Sequence, residues 1–454
     1  MLKYTKNKKL FHPTPPQALA IGFVIIITIG SFVLASPAAN ASGQYLPYLH
    51  ALFMSTSAVC VTGLSVVNVG ADMTTFGQIS LMLLIQIGGL GFTTMASLIA
   101  IVFRRRISFR ERLILQQALN QSTLEGIIPL IKKVIIYSLV IESCGAVLFA
   151  ARFMTEMPVL QAVYFGVFHS VSIFNNAGFD LFGMFPDRAA SLIHYVEDPL
   201  INIVSMLLII FGGLGFIVIS DLITYRQNRK LTLHSKVVLA TSGILIVLGA
   251  VIIFIFEYTN TQTMQPLSFL DKMFGSLLQS VSSRSAGVST VDTASLRQAT
   301  QFVLVLLMFV GSAPGSTGGG IKVTTLAVLY GAVAAMIRGR QDVVLFRYRL
   351  DQERIHKAIT FTLLSFFLIV IATMVLTTTE NGPFLSILFE VTSAFATTGM
   401  STGLSSEFTT FGKIFIIVLM FVGRLGPVTL AFALTSQQPE KEKFRRPEGR
   451  ITIG

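Results

Sequence analysis

The sequence contains few charged residues for its length. Of its 454 residues only 12% are charged and 53% are hydrophobic, whereas about 25% of the residues in an ordinary soluble domain are charged. The mean hydropathy is +0.73. A water-soluble globule could not cover so much apolar surface, and a disordered chain would be polar, so both classes of protein are excluded. The composition indicates a membrane protein that crosses the bilayer several times.

The chain also lacks the residues that a disulfide framework or a metal centre requires. Its two cysteines, Cys60 and Cys144, cannot form such a framework, and the sequence has no Cys-x-x-Cys or Cys/His cluster. It shows no nucleophile–base pair either, so we predict that it is not an enzyme. Basic residues outnumber acidic residues by 34 to 22, for a net charge of +12. In a membrane protein such an excess indicates orientation rather than nucleic-acid binding.

Eight segments are apolar over about the 20 residues that a spanning helix needs. They cover residues 17–36, 77–103, 130–151, 199–225, 236–257, 300–336, 356–378 and 411–435. Four shorter stretches lie between the members of each pair, at 46–58, 160–173, 269–282 and 383–394. Because these four are too short to cross, we predict that they form re-entrant half-helices.

Basic residues are concentrated on one side of this arrangement. Five segments contain 26 of the 34 Lys and Arg residues: the N-terminus, 104–133, 226–236, 338–357 and 441–450. The positive-inside rule therefore predicts that both termini are cytoplasmic. The lysines, apolar run and Ala39-Asn40-Ala41 near the start imitate a signal peptide. Since the apolar run of residues 18–34 exceeds an h-region of about 7–15 residues, we expect it to be retained.

A fourfold internal repeat aligns without gaps around four glycines. Each glycine follows a small residue and precedes an apolar one, in VTGLS at 61–65, NNAGFD at 175–180, SRSAGVS at 283–289 and ATTGMS at 396–401. The glycines lie 115, 109 and 112 residues apart. A second set follows in similar contexts: Gly88, Gly212, Gly311 and Gly423.

Each copy of the repeat contains a helix, a half-helix, a glycine-bearing extended strand and a second helix. Two spans per copy make all four copies run in the same direction, so they can surround an axis along the membrane normal. Non-helical backbone at membrane depth must line water or be buried in protein, and glycine can turn its carbonyl inward. We therefore predict an all-α polytopic membrane protein with eight transmembrane helices and four half-helices around a pseudo-fourfold pore. The alternative, that these glycines serve only helix packing, does not explain four matches at near-equal spacing.

These motifs resemble the Trk/Ktr/HKT superfamily of potassium transporters, and within it the membrane subunits of bacterial Ktr uptake systems, over about residues 17–435. The resemblance implies potassium uptake across the bacterial plasma membrane through a carbonyl-lined selectivity filter. It also implies a homodimer on a cytosolic, nucleotide-binding ring subunit (KtrA-like), which binds the nucleotide in place of this chain. Gly63, at the first filter position, resembles the pattern of the potassium-selective members of this superfamily. Whether sodium acts as an activator is left open.

The resemblance assigns the site residues by position. It places the ion-binding filter at Val61, Thr62, Gly63, Asn176, Ala177, Gly178, Ser285, Ala286, Gly287, Thr397, Thr398 and Gly399. It places the gating elements at Gly311, Ser312, Ala313, Pro314, Gly315, Ser316, Thr317, Gly318, Gly319, Gly320, Lys322 and Arg424. The five glycines and the proline of the gating loop make a continuous helix there implausible. A phosphate loop is excluded because Ile321 separates Gly320 from Lys322.

Several charged residues lie in or near the predicted spans. Arg424 lies mid-span, where a lone charge costs at least ~2.5–3.5 kcal/mol, so we expect it to bind carbonyls of the broken sixth span and hold the gate closed. A structural tie between spans is the alternative. For Arg284 we expect Glu390 as partner. Asp180 should either concentrate cations at the mouth or cap its loop. Glu142 is expected to tie two helices together.

The predicted domains follow these segments. The cytoplasmic parts are 1–16, 104–129, 226–235, 338–355 and 436–454, and the pore repeats are 17–103, 130–225, 236–337 (with the intramembrane loop 311–320) and 356–435. The alternative function is a sodium- or proton-coupled potassium symporter with obligatory coupling. Such a symporter usually needs a midplane carboxylate, for which Glu142 is the obvious candidate.

Overall fold

The computed structural model describes residues 14–91, 94–95, 109–118, 127–185 and 191–434. These residues are mostly helical, with one antiparallel hairpin of β1 (Val344–Leu345) and β2 (Tyr348–Arg349). In chain order the helices are α1 (Pro15–Ala35), α2 (Tyr48–Val59), α3 (Val69–Asp72), α4 (Thr75–Leu90), α5 (Phe109–Ala118), α6 (Ile127–Phe153), α7 (Val159–Phe174), α8 (Pro199–Leu214), α9 (Phe216–Asn228), α10 (Leu233–Glu257), α11 (Phe269–Ser282), α12 (Gln298–Phe309), α13 (Val323–Ile337), α14 (Gln352–Thr379), α15 (Phe384–Ala396), α16 (Leu404–Glu407), α17 (Thr410–Leu425) and α18 (Pro427–Leu434). Short 3-10 turns lie at Pro37–Ala39, Phe182–Met184 and Ile193–Tyr195.

Within the described ranges, four helices are each long and apolar enough to cross a membrane: α1, α6, α10 and α14. No more than 39% of the apolar window of any of them is buried in the protein. Their remaining surface therefore needs an apolar solvent, as the hydrocarbon of a bilayer provides. Thr232 caps the N-terminus of α10, because its hydroxyl accepts a hydrogen bond from the Ser235 N–H. This cap helps to fix where the helix begins.

Four shorter helices, α2, α7, α11 and α15, lie within two residues of the half-helices that the sequence predicts. Each packs against the long helix that precedes it. Pro47, Pro158 and Pro383 stand directly before three of them, and Ser268 caps the fourth by accepting a hydrogen bond from the Asp271 N–H. The residues toward the C-terminal end of each half-helix are buried. These four ends therefore lie in the interior of the protein.

The second helix of each predicted repeat is interrupted, which corrects three of our continuous spans. We expected a break only in 300–336, but α4 ends at Leu90, α8 at Leu214 and α17 at Leu425. The next residue in each case is a glycine with φ of +82°, +83° and +83°, respectively. Because a right-handed helix requires negative φ, each glycine stops its helix. After Gly215 the chain turns by 100° between α8 and α9, and part of the predicted span 77–103 lies outside the described residues.

The second set of repeated glycines allows close packing on the half-helices. A β-carbon at Gly88, Gly212 or Gly423 would lie closer than 3.0 Å to the carbonyl oxygen of a residue at a half-helix end: Val59, Phe174 and Phe395. Gly311 departs from this pattern, because the carbonyl that it faces belongs to Gly319 of the intramembrane loop. In the third repeat the loop thus takes the place of a half-helix end.

We expect Gly423→Ala to lower thermal stability, because the added methyl group overlaps a backbone carbonyl, and such overpacking typically costs about 1–3 kcal/mol. Gly243→Ala is the matched control, since nothing lies within 4 Å of its β-carbon position. Alanine there should be neutral or stabilising by up to about 1 kcal/mol. Unfolding can be followed in detergent by a thiol-reactive dye on buried Cys60, in a background where exposed Cys144 is serine. Equal midpoints for the two variants would contradict the packing argument.

Candidate functional site

The four glycines of the internal repeat lie together in a closed ring. A β-carbon at any of them would come closer than 3.0 Å to the carbonyl oxygen of the residue that precedes the next glycine. The glycine–carbonyl pairs are Gly63 with Ala177, Gly178 with Ala286, Gly287 with Thr398, and Gly399 with Thr62. The last pair returns to the first segment, so the four segments surround one axis. All four glycines have positive φ, between +70° and +92°, and no other residue type fits both the dihedral and the space.

The half-helices end in the same way in three of the four segments. The residue two before the glycine is left-handed in these three, with φ of 56° at Val61, 58° at Asn176 and 50° at Thr397. The third segment differs, since both Ala286 and Gly287 donate their N–H groups to the Ser282 carbonyl.

The third segment also lacks a hydroxyl group that the first and fourth segments use at this point. Ser57 and Ser393 each accept a hydrogen bond from the N–H of the glycine six residues later, at 3.0 Å in both cases. The equivalent residue of the third segment is Val281, which has no acceptor.

The ring is lined by polar oxygens and by the negative ends of helices. Five buried side-chain oxygens beside the four glycines have no hydrogen-bond partner in the structure: Thr62 Oγ1, Asn176 Oδ1, Ser285 Oγ, Thr397 Oγ1 and Thr398 Oγ1. The C-termini of α2, α7, α11 and α15 end a few residues before the glycines. Each helix C-terminus carries about half a negative charge. Uncompensated oxygens and helix ends together favour a positively charged occupant.

The loop 311–320 lies against the ring on the side where the half-helices end. Asn176 Nδ2 donates to Thr317 Oγ1 over 2.7 Å. Gly318 and Gly319 lie so close to Ser285 Oγ and Thr397 Oγ1 that neither could carry a β-carbon without a shift of its neighbours. The loop therefore contacts the residue two before the glycine in the second, third and fourth segments.

Backbone hydrogen bonds to the interrupted α8 fix the loop in this place. The Ala313 N–H donates to the Gly213 carbonyl over 2.9 Å, and the Phe216 N–H donates to the Gly315 carbonyl over 3.1 Å. The break at Gly215 thus provides partners for the loop backbone, which would otherwise leave polar groups unsatisfied in an apolar region.

Two cationic side chains bind three consecutive carbonyls of the loop. Arg424 donates to the carbonyl of Thr317 and, through its other terminal nitrogen, to the carbonyl of Gly88. Lys322 Nζ donates to the carbonyls of Gly318 and Gly319, over 2.7 and 3.3 Å. The hydrogen bond from Arg424 to the broken span is present as we expected from the sequence. The carbonyl oxygens nearest the ring are thus held by the protein's own cations.

The expected pair of Arg284 and Glu390 is not formed, and that prediction is wrong. Arg284 donates to the Ser242 carbonyl over 2.9 Å and to the Ser242 hydroxyl over 3.3 Å. Glu390 instead accepts hydrogen bonds from Ser401, Thr402 and Ser405, three residues of the outer segment that follows the fourth glycine. Arg284 reaches Ser242 because α10 passes directly behind it, while its Nε has no hydrogen-bond partner in the structure.

Asp180 caps its loop, the second of the two roles that we considered. Its carboxylate accepts the backbone N–H groups of Phe182 and Ser191, both at 2.9 Å. Burial raises the pKa of the Asp180 carboxyl, while these hydrogen bonds act in the opposite direction. Backbone N–H groups of the loop therefore compensate much of the charge of this carboxylate.

Two further polar residues hold the second segment from behind. Glu142 accepts hydrogen bonds from Gln86 Nε2, at 3.0 and 3.2 Å, and from Asn175 Nδ2, at 3.1 Å. It is therefore the interhelical tie that we expected, between α6, α4 and the end of α7. The sequence did not indicate this role for Gln86, which stands in no recognisable motif, or for Asn175, although Asn175 is the first residue of the NNAGFD motif.

The comparisons with known proteins agree with this geometry. A family model described as TrkH, cation transport protein, matches residues 3–444. The chain is 40% identical to Ktr system potassium uptake protein B of Bacillus subtilis over 97% of both chains. It is 37% identical to the potassium/sodium uptake protein NtpJ of Enterococcus hirae over 100% of both.

The fold is also similar to that of a solved structure, the potassium transporter TrkH from Vibrio parahaemolyticus. The TM-score is 0.74 over 95% of this chain and 87% of that chain, and the sequences are 18% identical. At this identity the likeness concerns the fold alone. Together with the family model and the relatives above, it leaves one conclusion: the chain is a membrane protein that belongs to the TrkH family of cation transport proteins, which are not enzymes.

Proposed function

We propose that this protein takes up potassium ions through the glycine ring, which acts as a selectivity filter. The observation that carries the proposal is the closed circle of four glycine–carbonyl contacts. Such a ring lets backbone oxygens replace the hydration shell of a cation. The names of relatives that match nearly the whole chain, Ktr system potassium uptake protein B among them, favour potassium as the ion.

The proposed path needs no coupled chemical step. Each cation that moves inward through 100 mV gains ~2.3 kcal/mol. The four half-helix ends and the unpartnered Thr, Ser and Asn oxygens compensate the lost hydration of the ion. We assign the selectivity filter to the twelve residues that the sequence indicates, which are the three that end at each of the glycines Gly63, Gly178, Gly287 and Gly399.

The loop 311–320 is the proposed gate, and Arg424 and Lys322 keep it closed. Both side chains occupy carbonyls that a passing cation would otherwise use, and both repel that cation by their charge. Opening then requires the loop to move off the ring and both cations to release their carbonyls. Asp180 has a smaller role in this scheme, because its carboxylate is committed to backbone N–H groups.

We further propose the arrangement and partners that the sequence implies. Four parallel repeats with the predicted boundaries supply eight spans and four half-helices, and both termini face the cytoplasm of a bacterial cell. A homodimer would rest on a cytosolic nucleotide-binding ring subunit. Two features support this: relatives are named as parts of a Ktr system, and the segments after α9 and α13 expose the basic residues Arg229, Lys230, Arg338 and Arg340.

A sodium-coupled symporter is the second candidate, because one full-length relative is named a potassium/sodium uptake protein. Glu142, the carboxylate that such a mechanism would use, accepts hydrogen bonds from the amide groups of Gln86 and Asn175. This environment favours a structural role, so the uncoupled pathway remains our proposal.

Gly399→Ala should reduce rubidium uptake into proteoliposomes at least tenfold, because its methyl group would enter the ring. Gly403→Ala is the control. Gly403 has a φ of +93°, similar to the +86° of Gly399, but no atom lies within 4 Å of its β-carbon position. Both variants place alanine at a similar positive φ, so the comparison tests the crowding at the ring. The control should keep uptake within about twofold. Equal losses in both would show that strain, not the ring, limits transport.

Arg424→Gln should increase rubidium uptake in the absence of a partner subunit. It removes charge-assisted hydrogen bonds worth about 1.5–3 kcal/mol, so we expect about a tenfold rise. Arg284→Gln is the matched control, because it removes another buried arginine, whose hydrogen bonds run to Ser242 rather than to the loop carbonyls. Monodisperse elution of each variant should be checked first. Unchanged uptake in Arg424→Gln would assign this arginine to a structural tie.

Sodium coupling can be tested on the unmodified protein. An uncoupled pathway predicts rubidium uptake in sodium-free proteoliposomes, with any sodium entry not in fixed proportion to it. Simultaneous measurement of radioactive rubidium and sodium uptake at several membrane potentials gives this ratio. A constant ratio together with no uptake in sodium-free medium would establish the symporter instead.

A further inference from the structure

A cavity of about 470 Å³ adjoins the intramembrane loop, away from the glycine ring. Its walls come from the N-terminal parts of α10, α13 and α14 and from the hairpin β1–β2. Pro314 and Lys322 of the gating region form part of the lining. Its volume is in the range of sites that hold small organic ligands. A ligand bound here would therefore contact the proposed gate directly.

The polar groups of this cavity attract anions. Lys322, Arg354 and Lys357 line it, and none of the lining residues is acidic. The first turn of α13, at Thr324 and Thr325, adds the positive end of a helix dipole.

Two side chains at the cavity show how far its polar groups are free to bind an anion. His234 Nε2 is a buried atom without a hydrogen-bond partner in the structure. Lys357 does have an anionic neighbour, Glu353 at 2.6 Å, but both side chains of this pair are about 70% exposed (75% and 68%). Because an exposed helix pair is worth only about 0.3–0.5 kcal/mol, it leaves Lys357 able to bind another anion.

The remaining walls are apolar, and the same helices carry further exposed apolar surface. Leu233, Val237, Val328, Ala358 and Phe361 line the cavity beside the basic groups. Further along the same two helices, exposed apolar side chains follow: Tyr330 and Val333 on α13, and Leu363 and Phe367 on α14. A free phosphate would leave these walls uncovered, whereas a lipid would cover them with its acyl chain.

We propose that this cavity binds an anionic phospholipid from the cytoplasmic leaflet and that the lipid promotes opening of the gate. The phosphate lies among Lys322, Arg354, Lys357 and His234, and the acyl chain follows the apolar walls. The effect of the lipid on the gate rests on the proposed transport function, whereas the lipid-binding site itself does not.

The link to the gate runs through Lys322. Its ammonium group holds the loop carbonyls of Gly318 and Gly319, and it lines the cavity at the same time. A phosphate in the cavity competes with these neutral carbonyls, because a charge-assisted hydrogen bond to an anion is the stronger one. The lipid therefore weakens one of the two cationic contacts that keep the loop on the ring.

The test uses the purified full chain and the double variant R354Q/K357Q. Neither residue belongs to the proposed filter or gate. The control is R338Q/R340Q, which removes the same charge from exposed positions after α13 that do not line the cavity. Binding of phosphatidylglycerol and phosphatidylcholine is measured by native mass spectrometry. With about 1 kcal/mol per basic residue, phosphatidylglycerol affinity should fall about 30-fold in R354Q/K357Q and change little in R338Q/R340Q.

Rubidium uptake is measured in parallel in three kinds of vesicle. These contain phosphatidylcholine alone, phosphatidylcholine with a quarter phosphatidylglycerol, or phosphatidylcholine alone with inorganic phosphate in the buffer. We expect faster uptake only in the second kind, with the increase lost in R354Q/K357Q and kept in R338Q/R340Q. An increase with inorganic phosphate alone would overturn the lipid assignment, and one that persists in R354Q/K357Q would overturn the site.

The two proposals fail in different ways. Normal uptake with no selective lipid binding contradicts the lipid site and leaves the transport function standing. Selective lipid binding without rubidium uptake in any vesicle contradicts the transport function instead. Equal loss of binding in R354Q/K357Q and R338Q/R340Q would mean that general surface charge, not this cavity, attracts the lipid.

Discussion

The close approach of four backbone segments around one axis is the constraint on which the rest of this structure depends. Each glycine lies where a β-carbon would overlap the carbonyl that precedes the next glycine. Side chains are therefore excluded at these four positions, and backbone oxygens lie there instead. Because non-helical backbone at membrane depth must line water or be buried in protein, these oxygens need water, a donor group or a cation as their partner. The half-helices, the buried hydroxyl groups and the loop are all arranged around that requirement.

The loop 311–320 follows from the same constraint. In the third repeat the chain cannot close on its half-helix as the others do, because Gly311 faces the carbonyl of Gly319. The inserted backbone has polar groups of its own, which form hydrogen bonds with the backbone of Gly213 and Phe216. The side chain of Thr317 in the loop accepts a hydrogen bond from Asn176. Its last free carbonyls bind Arg424 and Lys322. A single departure from fourfold symmetry thus supplies both the proposed gate and its cationic restraints.

The half-helices and the four long spans could be predicted closely, because apolar length and flanking prolines are local signals. The breaks at Gly91, Gly215 and Gly426 could not. Glycine is common inside membrane helices, and only the surroundings decide whether one of them takes positive φ. The pairing of Arg284 with Glu390 was wrong for a related reason. Two buried opposite charges need not meet when hydroxyl and backbone groups lie within hydrogen-bond distance of each of them.

The sequence by itself determined the class of protein and the identity of the four glycines that form the ring, because composition and periodicity are properties of the chain. The tertiary structure alone decided which carbonyl each glycine faces, and that Arg424 joins Thr317 to Gly88. It alone brought Lys322, Arg354 and Lys357 to one cavity. These contacts join residues far apart in the chain, so they depend on how the repeats pack around their axis rather than on any local pattern.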